Sequence, residues 1–141
     1  MPIQNPLRCI LFWLILVVLM ILHFNYHVSE IFYGIDVVQE DAAGKVPIGI
    51  HFIRNIFYHL PIVWIVVLMS TNKKVIRLGL FIISLIYTLS HAMHLVGELL
   101  RPDISQISLL SLMLFISVLL SISHFKYWKK ELSPQQDSQL L

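Results

Sequence analysis

The sequence predicts an all-α integral membrane protein, a four-transmembrane-helix antiparallel bundle with both termini cytoplasmic, and three observations carry that expectation. Hydrophobic residues make up 57% of the 141 residues and charged residues only 13%, far from the balance of a water-soluble domain. Four apolar stretches, about 9–28, 48–69, 75–100 and 104–125, each approach the roughly 20 residues needed to cross a hydrocarbon core. The basic residues divide unevenly between the ends of those stretches. Arg8, Lys73, Lys74, Arg77, Lys126, Lys129 and Lys130 fall on one side, against Lys45, Arg54 and Arg101 on the other. The richer side is read as cytoplasmic.

Residues 1–132 form the expected membrane domain, and the polar stretch 133–141 reads as a disordered tail. The first span follows Arg8 but shows no small-residue cleavage site after Leu22, so it is expected to be a retained anchor rather than a signal peptide. Cys9 has no second cysteine to pair with. The second and third spans are joined by 70–74 and the third and fourth by 101–103, connections short enough to make each joined pair antiparallel neighbours. Pro61 within the second span removes a backbone donor and predicts a kink below His59. Pro102, Asp103 and Ser105 supply a start signal for the fourth span. The outer loop 29–47 mixes Ile31, Phe32, Tyr33, Ile35, Val37 and Val38 with Glu30, Asp36, Glu40 and Asp41, which suits an interfacial segment or a lid. Ser117 and Ser121 have the small-xxx-small spacing of close helix contact.

Ionisable side chains inside a span are costly and generally face the bundle interior. Six of the seven histidines lie toward the outer side. His23, His27 and Glu30 are spaced by four and three, which at about 100° per residue keeps them on one helical face. His91, His94 and Glu98 repeat the pattern with three and four. His51, Arg54, Asn55, Tyr58 and His59 form a broad polar stripe on the second span. If the three stripes converge, up to six imidazoles and two carboxylates surround one outward-facing cavity.

Neutral imidazole offers a lone pair to a metal, and glutamate adds an anionic oxygen that favours Fe or Zn over softer ions. No Cys or Met cluster suggests a copper(I) carrier. The expected ligands are His23, His27, His51, His59, His91, His94 and Glu98, holding Fe or Zn singly or as a dinuclear centre. Glu98, Glu30 and Arg54 are the candidate catalytic groups, acting on a lipid or lipid-soluble substrate. A second reading makes His23 and His91 the axial ligands of a haem b in an electron-transfer subunit that meets quinone. A third is a proton or metal transport element, or an accessory subunit of a membrane complex. His124, beside Lys126 and Trp128, reads as interfacial. Membrane lipid is the expected surroundings, a homo-oligomer or larger complex an expected assembly, a bacterial inner membrane the expected location, and nucleic acid no expected partner.

Overall fold

A computed structural model describes residues 5–38, 44–100 and 104–130, apart from the side chains of 104 and 105. All of the regular structure is helical: α1 (Asn5–Ser29), a 3₁₀ turn (Glu30–Tyr33), α2 (Ile48–Arg54), a π-helical turn (Asn55–His59), α3 (Leu60–Ser70), α4 (Lys74–Leu100) and α5 (Ile104–Lys129). Since α2, the π turn and α3 run on without a break, they make one span, and four helices are long and apolar enough to cross a membrane. The cap expected at Pro102 and Asp103, the charges Glu40, Asp41 and Arg101, and the tail 133–141 lie outside the described residues; so does the side chain of Ser105.

One spacing governs which side chains are buried. On α5, Gln106, Leu110, Met113, Ser117, Leu120, His124 and Tyr127 alternate steps of four and three, and all are buried. On α1 the same alternation runs through Cys9, Trp13, Leu16, Met20 and His23, continuing to the half-buried His27 and Glu30. On α4 it runs through Arg77, Leu80, Ser84, Tyr87 and His91, then to His94 and Glu98. A repeat averaging 3.5 residues keeps one seam facing its neighbours along a whole helix, which is the geometry of shallow-angle helix packing.

These seams bring α5 against α4 most extensively and against α1 next. Contacts run in opposite order along each pair: Trp13 meets His124 and His23 meets Gln106, while Arg77 meets Tyr127 and Thr88 meets Ser117. Between α1 and α4 the interior is spanned by large rings, such as Trp13 against Tyr87 with centroids 5.0 Å apart. Small residues bring α4 and α5 together, where Thr88 Oγ1 lies 3.0 Å from the Ser117 carbonyl and 2.9 Å from Ser121 Oγ. The small-residue packing expected of Ser117 and Ser121 is thus present.

His124, read as interfacial, is interior instead, and Arg77, one of the seven basic residues on the richer side, is buried at its end of the bundle. Arg77 is 4% exposed; it donates through Nη1 to the carbonyls of Tyr127 (2.8 Å) and Lys130 (2.9 Å). Those carbonyls belong to the last turn of α5, where no intrahelical donor remains and positive charge is favoured. His124 is not interfacial: it is fully buried, and its Nε2 accepts from Trp13 Nε1 at 3.0 Å. Its place on the four-three seam turns it inward, whereas Lys126 two residues later is exposed.

The second span departs from a plain helix at Asn55–His59. Pro61 has no N–H to give to a carbonyl four or five residues back, and the backbone widens to π geometry just before it. The Tyr87 hydroxyl donates to the carbonyl of Ile56, one of the two acceptors that Pro61 leaves short of a donor. At the far end of α1, Gly34 adopts φ +78°. Its N–H bonds to Ile31 O and that of Ile35 to Glu30 O, closing the 3₁₀ turn with a left-handed residue that suits glycine. Beyond the helix axis, Phe32 and Tyr33 of that turn are 86% and 83% exposed.

The Trp13–His124 bond yields a direct test. Trp13→Phe leaves a buried imidazole nitrogen unpaired and is expected to destabilise the protein by about 1–3 kcal/mol, read as a lower thermal midpoint in detergent by circular dichroism. Adding His124→Leu removes the unpaired group and is expected to restore part of the loss.

Candidate functional site

The seams of α1 and α4 end in histidines on the same side of the bundle, and they meet. The His23 ring packs edge-to-face on His27 with centroids 4.7 Å apart and on His94 at 4.9 Å. His91 is 2% exposed and tilts against Phe57 at 5.8 Å and Tyr87 at 6.4 Å. Four imidazoles from two helices therefore share one end of the interior, graded from buried His23 and His91 through half-buried His27 to exposed His94.

A group that the pattern of charges did not single out anchors this cluster. His23 Nδ1 lies 2.9 Å from Oε1 of the fully buried Gln106. An amide oxygen only accepts, so the imidazole donates through Nδ1, which leaves the lone pair on Nε2. Hydrogen-bonding one ring nitrogen to orient the other is what the outer partners of metal-bound histidines do. Gln106 Nε2 is itself buried with no partner among the described residues. The signal was present in the sequence: an uncharged amide lies near the start of an apolar span, and it falls on the same 3.5-residue repeat as Leu110 and Met113.

The second span does not deliver its polar stripe to the cluster. His51, Arg54, Asn55 and His59 are exposed, and His59 Nδ1 pairs with Asn55 Oδ1 of its own helix at 2.6 Å. The reason is the π turn. Counting back from the buried Leu68, Ile65 and Pro61 in steps of three and four would put Tyr58, Arg54 and His51 on the seam. One extra residue in a turn rotates everything before it by about 100°. Phe57 consequently faces Tyr87 and His91, and Tyr58 reaches only the Met20 carbonyl at a long 3.4 Å. Convergence of three stripes, expected from the sequence, is therefore convergence of two, closed by Gln106 from α5.

Of the acidic candidates, Glu30 is half-buried and lines a hollow of about 480 Å³ with Phe24, His27, Val28 and Val37. Glu98 is half-buried one turn beyond His94. Arg54 lines a separate hollow, about 470 Å³, with Ile21, Phe24, Tyr58 and His59. Among the described residues no three or more His, Cys, Asp or Glu side chains are disposed to hold a metal ion. The imidazoles meet edge-to-face instead of aiming their lone pairs at one point. Comparisons with protein families, curated proteins and solved structures find no match.

These placements separate interior from peripheral histidines. Gln106→Leu and His23→Leu are each expected to lower stability by about 1–3 kcal/mol, because each strands a buried polar partner. By contrast, His51→Ala and His59→Ala are expected to fall within about 0.5 kcal/mol of the parent protein. Thermal unfolding in one detergent gives the ranking, and equal effects from all four would contradict the two-helix cluster.

Proposed function

We propose that the chain is a metalloprotein of a bacterial inner membrane, antiparallel in its four spans, with both termini cytoplasmic and the histidine end outward. The sidedness rests on the basic residues, seven against three. The metal is Fe or Zn, held by imidazoles from His23, His27, His91 and His94 with Glu98 or Glu30 as an additional oxygen ligand or proton acceptor. A lipid-soluble molecule is the substrate.

The observation that carries this reading is the meeting of His23 with His27 and His94 beside a Gln106 that holds His23 by Nδ1. Two imidazoles sharing a tetrahedral ion at Zn–N of about 2.0–2.1 Å have ring centroids about 5 Å apart. The separations here, 4.7 and 4.9 Å, are close to that value. The unpartnered Gln106 amide N–H groups supply donors for a water or substrate oxygen beside the cluster. Such an ion would act as a Lewis acid toward a bound oxygen.

Haem b is the weaker alternative. An axial pair needs a flat slot between its two rings, yet His94 packs on the edge of His23 while Phe57 and Tyr87 lie against His91.

Elemental analysis of the purified protein beside its optical spectrum tests both. The expected result is Fe or Zn near one equivalent or more, no Soret band, and loss of that metal in both His23→Ala and His91→Ala. His51→Ala and His59→Ala are expected to keep it. Gln106→Ala is expected to weaken metal binding by about 10–100-fold, as loss of a partner to a ligand does. A metal-free protein in all preparations, or a Soret band lost with His23 and His91, would overturn the metal reading.

A further inference from the structure

The hollow between α1 and the second span contains the one cation among its lining residues, Arg54, with Tyr58 and His59 beside it and Ile21 and Phe24 as apolar wall. We propose that it seats the anionic head of a membrane amphiphile, a phosphate or carboxylate, with the acyl chain lying along Ile21 and Phe24. This deepens the preceding reading by naming the class of lipid-soluble molecule, while the binding of the head group stands without any metal.

Two features fit that occupant. The guanidinium is a planar fork matched to oxyanions, and no acidic side chain lines the hollow to neutralise it. Tyr58 has only its long contact to the Met20 carbonyl, so its hydroxyl is available to a ligand. The same π turn that removes Arg54 from the interior seam puts it here. Arg54 is six residues beyond Ile48, about 9 Å along the helix axis inside the span, from where a long guanidinium side chain reaches back toward the level of the lipid head groups.

The hollow also borders the histidine end. Phe24 lines both it and the hollow that contains His27 and Glu30. An amphiphile held at Arg54 would lie one side chain, Phe24, away from the hollow that contains His27.

Native mass spectrometry of the full chain in neutral detergent, titrated with phosphatidylglycerol, oleate or phosphatidylcholine, tests the proposal. The expected result is one saturable site that takes an anionic amphiphile at least about tenfold more tightly than phosphatidylcholine. Retention of phosphatidylglycerol alone identifies a phosphate head, and retention of oleate alone a carboxylate. Arg54→Gln is expected to reduce anionic binding to the phosphatidylcholine level, with a hydrogen bond to a charged group accounting for tenfold or more. Tyr58→Phe is expected to weaken it about threefold. Metal content, measured on the same samples, is expected not to change. Binding that rises without saturation, or persists in Arg54→Gln, would overturn the proposal. Loss of metal with lipid binding intact would sink only the preceding reading.

Discussion

Lipid offers no hydrogen bonds, so each polar side chain on an interior seam must find its partner within the bundle. That constraint organises this protein. The seam of α5 carries Gln106, Ser117, His124 and Tyr127: the side chains of Gln106, His124 and Tyr127 meet His23, Trp13 and Asn72, while the Ser117 hydroxyl donates to the Leu114 carbonyl of its own helix and its carbonyl accepts from Thr88. Because these contacts are spread along the helix, they set its register against α1 and α4 more narrowly than Leu and Met packing would. A one-turn slip would strand several buried polar groups together, each at a cost of about 1–3 kcal/mol.

The two ends of the bundle use that constraint differently. At one end polar groups serve structure: Arg77 caps carbonyls at the end of α5, and Tyr127 donates to Asn72 in the turn between α3 and α4, although Arg77 Nε and His124 Nδ1 are buried toward this end without a hydrogen-bond partner among the described residues. At the other end the imidazoles are in contact with one another and Gln106 keeps amide donors in reserve. What distinguishes the histidine end is that its ionisable rings touch one another.

Pro61 divides the molecule in a second way. By leaving backbone carbonyls without a donor it permits the π turn, and the π turn changes the face on which everything N-terminal to it lies. One consequence is that Phe57, not Tyr58, packs beside His91. Another is that Arg54, Tyr58 and His59 are gathered around a hollow facing α1. A single residue without an N–H therefore separates two sets of polar groups that a straight helix would have merged.

The helices and their spans were legible in the sequence because length and apolarity alone determine whether a segment can cross a bilayer. That His23 and His27 share one face of α1, and His91 and His94 one face of α4, was legible too, since steps of three and four place residues on one face whatever the neighbours do. Tertiary structure alone decided that His124 is interior, that Arg77 caps a helix, and that Gln106 is the partner of His23, because each depends on which group a different helix presents at that level. It also decided the fate of His51 and His59. Periodicity assumes one uniform rotation per residue, and the widened turn before Pro61, whose open Ile56 carbonyl accepts from the Tyr87 hydroxyl, breaks that uniformity.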